Sequence, residues 1–128
     1  MQLSIHRLRL SVNLQTQAKL FASCPRGLEN ALAAELADLG ASAVCAIAGG
    51  VSFEGDTRVI YRGNLESRIA TRILLRLFTV PYRSEDDIYR ASHEFDWPRR
   101  FDVGRSIRVY LTAQRCPLKS LDFLTLRI

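Results

Sequence analysis

Cys24 is the residue whose position most suggests covalent chemistry. It precedes Pro25 and a predicted helix, and the positive end of a helix dipole favours a thiolate. A cysteine phosphatase loop would need an arginine where this chain has Asn30, and no histidine or aspartate lies nearby in the sequence to act as a base. The pattern therefore favours a small buried cysteine over a nucleophile.

The other patterns that could support catalysis are weak. Gly49-Gly50 lacks the spacing of a phosphate-binding loop and predicts a hairpin turn. Arg26 lies where an acylphosphatase would need an arginine-bearing loop, but a helix start explains the same segment. The acids within 85–96 are typical of helix capping and a solvated face. The cysteines and histidines are too scattered for a tetrahedral metal site, so the sequence predicts no catalytic residue, cofactor or metal in this chain.

Arginine dominates the positive charge. Sixteen of the 18 cationic residues are arginine, and the formal net charge is +5. A guanidinium presents a planar fork of donors that suits phosphate and stacks on bases, so the excess favours a polyanionic partner. A solvated surface with local acidic partners would explain the same composition. The arginines fall into two groups: Arg58, Arg62, Arg68, Arg72 and Arg76, and then Arg99, Arg100, Arg105, Arg108 and Arg115.

The elements that must position these residues follow a regular order over residues 19–82. A short buried strand precedes a helix that starts at Pro25, carries leucines at helical spacing and ends at Gly40. Two strands flank a Gly49-Gly50 turn, Asp56 caps a helix to about residue 70, and a strand covers 72–82. The order β-α-β-β-α-β is that of a ferredoxin-like α+β domain. The apolar side of the second helix is predicted to comprise Val59, Ile60, Leu65 and Ile69.

The residues after 82 show a different pattern. Ser84 begins a capping box, so a helix should run to about Phe95, and Trp97-Pro98 should end it in a turn. A strand near 107–111 and a helical repeat that continues to the last residue complete this part. The predicted organisation is an appendage over 1–17, a ferredoxin-like domain over 18–82, and a second α/β unit over 83–128 that stops inside a helix, as in a piece of a longer protein.

Length and composition exclude several classes. A chain of 128 residues with 48% hydrophobic residues can bury a core, which excludes disordered and collagen-like proteins. No apolar run reaches the roughly 18 residues of a spanning helix. The N-terminus lacks the apolar segment of a secretory signal, and three cysteines argue against a disulfide framework. We therefore expect a cytoplasmic protein without a membrane partner.

Several short strings occur in an informative order. They resemble the N-terminal region of bacterial THUMP-containing RNA methyltransferases over about residues 19–128. The resemblance is strongest to the family that methylates the exocyclic N2 amine of a guanine in large-subunit ribosomal RNA. The strings are FASCPRGLE (21–29), EL (35–36), GGVSF (49–53), SRIATRIL (67–74), DWP (96–98), KS (119–120) and LRI (126–128).

The resemblance implies a ferredoxin-like domain followed by an RNA-binding THUMP domain, truncated here because the chain stops where the THUMP helix continues. It also implies that S-adenosylmethionine and the catalytic motif belong to a methyltransferase domain of the parent chain, so this fragment is not expected to be an enzyme. Its expected partners are structured RNA of the large ribosomal subunit and that catalytic domain. The expected RNA-binding residues are Arg99, Arg100, Arg105, Arg115, Lys119 and Ser120.

Two other functions stay open from the sequence. A protein-interaction or regulatory ferredoxin-like domain would dock another chain on its sheet face or last helix, and it would show no salt-dependent RNA binding. A small hydrolase of the acylphosphatase type would cleave an acyl phosphate.

Overall fold

The computed structural model describes residues 2–5, 17–100, 102, 104, 106 and 108–112. The chain separates into two compact units: Val12–Leu77, called here the ferredoxin-like unit, and Met1–Ser11 with Phe78–Ile128, called the C-terminal unit. The predicted boundaries after residues 17 and 82 stay predictions. The helix predicted from about residue 121 lies outside the described residues.

The ferredoxin-like unit contains a four-stranded antiparallel sheet in the order β3-β4-β2-β5, and β1 pairs with β6 in the C-terminal unit. This strand order confirms the predicted ferredoxin-like α+β fold. No described helix is both long enough and apolar enough to cross a membrane. The elements are β1 (Gln2–Ile5), β2 (Ala18–Ser23), α1 (Glu29–Asp38), β3 (Ser42–Ile47), β4 (Gly50–Gly55), α2 (Thr57–Glu66), β5 (Arg72–Leu75), α3 (Glu85–Glu94), a 3-10 turn (Trp97–Arg99) and β6 (Val109–Thr112).

One face of the sheet carries the core of the ferredoxin-like unit. Leu20 lies opposite Phe53, and Ala22 lies opposite Val51, on neighbouring strands. All four are at most 1% exposed, because alternate residues of a strand point to the same side. Burying a large apolar side chain stabilises the fold by about 1.5–3 kcal/mol. The buried cluster comprises Leu20, Ala22, Cys24, Leu32, Leu36, Leu39, Val51, Phe53 and Val59.

Helix α1 starts at Glu29, so the predicted start at Pro25 is wrong. Gly27 has a φ of +91°, a left-handed conformation that a helix does not contain, and residues 25–28 form a turn. The Glu29 carboxylate holds this turn, because it accepts the Gly27 N–H at 2.7 Å and the Gly49 N–H at 3.1 Å. The same side chain thus links the start of α1 to the hairpin between β3 and β4.

Two predicted helix boundaries are confirmed. Gly40, with a φ of +97°, follows the last turn of α1 as its C-terminal glycine. Asp56 caps α2, since its carboxylate accepts the Val59 N–H at 3.0 Å.

Helix α2 ends at Glu66, four residues earlier than predicted. Ser67 adopts an extended conformation, and Glu35 of α1 accepts hydrogen bonds from the Ser67 hydroxyl at 2.5 Å and the Arg68 N–H at 2.8 Å. These bonds hold the chain in a non-helical path. Leu65, predicted on the apolar side, is 82% exposed, so that part of the prediction is wrong.

Two boundaries in the sheet also differ from the prediction. Ile47 pairs with Gly50, so the two residues of the turn are Ala48 and Gly49 rather than Gly49 and Gly50. Strand β5 ends at Leu75 rather than at residue 82. Leu75 pairs with Leu20, which is close to the start of the partner strand β2.

Replacing Glu35 with glutamine should reduce the sensitivity of the fold to acid. Burial opposes ionisation of Glu35, but hydrogen bonds from the Arg68 amide, the Ser67 hydroxyl and the Ile69 amide hold its pKa below the ordinary value. A lowered folded-state pKa contributes stability above the unfolded pKa of about 4.3, and this contribution is lost as pH falls through the folded-state pKa.

Glu35→Gln should therefore lower the free energy of unfolding at neutral pH and flatten its dependence on pH below about 4.3. Urea unfolding at a series of pH values measures both effects. Asp38→Asn, an exposed substitution at the end of the same helix, is the matched control. An acid profile equally steep in Glu35→Gln and in the control would contradict this role for Glu35.

Candidate nucleic-acid interface

The predicted RNA-binding segment begins where α3 ends, and a capping box fixes the start of that helix. The Ser84 hydroxyl accepts the Asp87 N–H at 3.4 Å, and the Asp87 carboxylate accepts the Ser84 N–H at 3.0 Å. The Asp87 carboxylate also accepts the Arg83 N–H, and these donors hold its pKa below the ordinary value. The predicted capping box is confirmed.

Aromatic side chains fix the path of the chain after α3. The Phe95 ring centroid is 5.1 Å from that of Phe78 and 4.8 Å from that of Trp97. The Trp97 indole N–H donates to the Ser92 carbonyl oxygen at 2.7 Å, which ties the 3-10 turn to the last turn of α3. The predicted turn at Trp97-Pro98 is confirmed, and it brings the chain to the first two predicted RNA-binding residues.

These two arginines have different surroundings. Arg99 Nε is 3.0 Å from Asp96 Oδ2, and the two side chains are 85% and 58% exposed. Such an exposed pair contributes little stability, so a phosphate can compete for the guanidinium at small cost. Arg100 is half-buried, and its guanidinium carbon lies 5.9 Å from the Phe95 ring centroid. Arg99 is therefore the better placed to contact phosphate, while the aromatic cluster orients Arg100.

Arg108 was not among the predicted RNA-binding residues. Its guanidinium carbon lies 4.7 Å from the ring centroid of Tyr110, and both side chains are exposed. Residues two apart along a strand share a face, so the alternation of Arg108 and Tyr110 with apolar residues was the signal that could have identified this pair. An arginine stacked on an exposed ring offers donors and an aromatic surface, both of which RNA-binding proteins use.

The other four predicted RNA-binding residues lie outside the described residues. Their position relative to Arg99 and Arg100 therefore stays a prediction. They are Arg105, Arg115, Lys119 and Ser120.

The arginine group of the ferredoxin-like unit divides into structural and exposed members. Arg62 binds the Glu66 carboxylate through Nε at 3.0 Å and donates to the Leu39 carbonyl oxygen at 3.0 Å. The hydrogen bonds that Arg62 donates to Glu66 raise the pKa of Arg62. These contacts give Arg62 a structural role. Arg72 and Arg76 are exposed and form no salt bridge with any described residue.

Cys24 has the surroundings of a core residue. The side chain is buried, and burial together with the negative charge of Glu29 raises the pKa of the thiol. A raised pKa disfavours the thiolate that a nucleophile needs, so the interpretation as a small buried cysteine is confirmed. Among the described residues, no group of three or more histidine, cysteine, aspartate or glutamate side chains is placed to hold a metal ion.

The ferredoxin-like unit is similar to a known family. Residues 19–74 match the family model described as the RlmL ferredoxin-like domain. This part of the chain is therefore similar to that family, in agreement with the resemblance predicted from the sequence.

Two solved structures are similar over a larger part of the chain. One is SMU.472, which is classed as a methyltransferase and was crystallised with SAH. It is 27% identical to this chain with a TM-score of 0.64, and the match covers 70% of this chain and 24% of that chain. A Listeria monocytogenes str. 4b F2365 protein classed as an N6-adenine-specific DNA methylase is 29% identical with a TM-score of 0.60, over 67% of this chain and 23% of that chain. The matching part of the chain thus spans about a quarter of the length of these structures.

Proposed function

We propose that this chain is the RNA-binding N-terminal module of an S-adenosylmethionine-dependent methyltransferase that modifies the N2 amine of a guanine in large-subunit ribosomal RNA, in the cytoplasm. The observation that carries the proposal is the match of residues 19–74 to the RlmL ferredoxin-like domain. Methyltransferase neighbours about three times as long as this chain support a division between a binding module and a separate catalytic domain.

In this proposal the C-terminal unit is the beginning of a THUMP domain and makes the phosphate contacts. Structured RNA is recognised mainly by its shape and its backbone, and an enzyme that modifies a base must reach that base outside the stack. The module therefore holds the RNA while another domain performs the methyl transfer. The proposed contacts comprise Arg99, Arg100, Arg105, Arg115, Lys119 and Ser120. We add Arg108, because its guanidinium lies over the exposed ring of Tyr110.

S-adenosylmethionine would bind in the catalytic domain of the parent protein, and no residue of this chain is assigned to it. SMU.472 was crystallised with SAH, the compound that S-adenosylmethionine becomes after losing its methyl group.

The choice of RNA rather than DNA is the first test, because one neighbour is classed as a DNA methylase. The chain should bind a structured fragment of large-subunit ribosomal RNA about tenfold or more tightly than duplex DNA of equal length. One or two additional phosphate contacts would give a ratio of this size near 0.1 M salt. RNA differs from DNA in its A-form grooves and 2′-hydroxyls. Competition measured by fluorescence anisotropy gives the ratio, and equal affinity or a preference for DNA would contradict the proposal.

One observation favours the alternative of a protein-interaction domain. Tyr61 and Leu65 are one helical turn apart on α2 and are 66% and 82% exposed. A docking function for this pair predicts self-association by light scattering and no salt-dependent binding of RNA. The binding experiments therefore separate the two functions.

A further inference from the structure

The sheet of the ferredoxin-like unit has a second face, opposite the core, that is called here the open face. Its residues alternate along the strands with the buried ones, and the strand register places them in rows across the sheet. Phe21 lies in the middle row, between Leu74 of β5 and Ser52 of β4, and Cys45 of β3 completes that row. The open face thus has an aromatic side chain on a central strand.

The tip of the Phe21 ring lies over Gly50 of β4. A Cβ atom added to Gly50 would be 2.5 Å from Phe21 Cζ and 2.9 Å from Cε2, and it would also collide with the carbonyl oxygen of Ala22. The ring therefore occupies the space that any other residue at position 50 would fill. Phe21 is half-buried rather than buried, so part of the side chain is accessible to a partner.

Positive charges lie on both sides of this ring. Lys19 precedes it on β2, and Arg76 lies beside Lys19, since the Arg76 N–H donates to the Lys19 carbonyl oxygen at 2.9 Å. Arg72 pairs with Ser23, two residues beyond the ring. The Cα atoms of Arg72 and Arg76 are about 13 Å apart, because a strand rises by roughly 3.3 Å per residue.

The charges of the open face do not cancel. Lys19, Arg72 and Arg76 are exposed, and none forms a salt bridge with a described residue. Glu54, opposite Lys19, is the one carboxylate in the rows that the described strand pairing defines. The surface therefore complements a partner that carries negative charges on either side of a flat apolar group. An unpaired nucleotide segment has this chemistry, because phosphates alternate with bases that stack on aromatic rings.

We propose that the open face binds a single-stranded segment of RNA, with one base stacked on Phe21 and the flanking phosphates against Lys19, Arg72 and Arg76. Four-stranded sheets with aromatic residues on central strands bind RNA in this manner in other proteins. The surface belongs to the ferredoxin-like unit, and the inference stands independently of the contacts proposed for Arg99 and the residues after it.

The test compares two substitutions that each remove one aromatic ring from the 128-residue chain. Phe21→Leu removes the ring and keeps apolar bulk on the sheet, whereas Tyr61→Leu removes an exposed ring from α2 and is the matched control. The probe is a fluorescein-labelled twelve-nucleotide oligouridylate, and a hairpin RNA with a short closed loop serves as the paired comparison. Circular dichroism melting verifies that both variants are folded.

Phe21→Leu should weaken oligouridylate binding roughly five- to hundredfold, the range found when a stacking aromatic is removed. Tyr61→Leu should bind as the natural chain does. Binding of the hairpin should change less, because paired bases cannot stack on the ring. Equal affinities of Phe21→Leu and the natural chain for oligouridylate would overturn the proposal. So would failure of the natural chain to bind it at all, which would favour a protein on this face.

A charge variant keeps the proposal testable if Phe21→Leu unfolds. Arg72→Glu with Arg76→Glu leaves the core face unchanged and should lower oligouridylate affinity. The salt dependence should become less steep by about 1.4 units, at about 0.7 per contact with a single strand. An unchanged salt slope would overturn the proposal. If the open-face variants lose oligouridylate binding while binding to structured ribosomal RNA persists, the open face and the interface at Arg99 are distinct. If only the variants at Arg99 and beyond have an effect, the open-face proposal fails and the proposed function stands.

Discussion

Replacing Arg99, Arg100, Arg115 and Lys119 together with alanine is expected to lower the affinity for structured ribosomal RNA about a thousandfold at about 0.1 M salt. Each phosphate contact releases counterions and contributes about 0.7–0.9 to the slope of log affinity against log salt concentration. Four lost contacts therefore remove about three decades of affinity and about three to four units of slope.

The matched control for this variant removes the same charge from other positions. Arg26, Arg58, Arg83 and Arg90 are exposed and lie on neither proposed RNA surface. Replacing these four arginines with alanine gives a chain of the same net charge as the variant at Arg99, Arg100, Arg115 and Lys119. Any effect of overall charge is therefore shared by the two variants. We expect the control to lose only a small part of the affinity and slope. An equal loss in both variants would show that the arginines act through net charge alone.

Phe53→Ala is expected to lower the free energy of unfolding of the chain by about 3–5 kcal/mol. Phe53 is 1% exposed at the centre of the sheet, opposite Leu20, so truncation leaves a cavity that rigid neighbouring strands cannot fill. A loss of this size approaches the whole stability of many small domains. Urea unfolding followed by circular dichroism measures it.

Leu65→Ala is the control for this core substitution. Leu65 is 82% exposed on α2, so its truncation should change the free energy of unfolding by about 0.5 kcal/mol or less. Comparable losses in Phe53→Ala and Leu65→Ala would contradict the assignment of the core to the inner face of the sheet.

The order of elements in the ferredoxin-like unit was predictable from the sequence because its signals are local. Apolar residues alternate along β2 and β4, Asp56 caps α2 and Gly40 ends α1, and each of these signals needs only neighbouring residues. The element ends were less predictable, because contacts distant in sequence determine them. Glu35 ends α2 from 32 residues away through its bond to Ser67, and no local pattern contains that information.

The candidate interface was predictable to a smaller extent. Clustering of arginines along the sequence indicated Arg99 and Arg100. It could not show that Arg100 lies over the Phe95 ring, whereas Arg99 is exposed beside Asp96. It also grouped Arg62 with exposed arginines, although Arg62 is bound to Glu66 and to the backbone of Leu39. Charge patterning identifies a surface, while the partners of each guanidinium depend on the folded geometry.

The salt dependence of RNA binding by the unmodified chain tests the central claim most directly. A titration of the structured large-subunit ribosomal RNA fragment at salt concentrations between about 0.05 and 0.5 M gives the slope of log affinity against log salt concentration. The six cationic residues proposed to contact this RNA predict a slope of about −4 to −5. A slope close to zero, or no binding at the lowest salt concentration, would contradict the claim that this chain is an RNA-binding module.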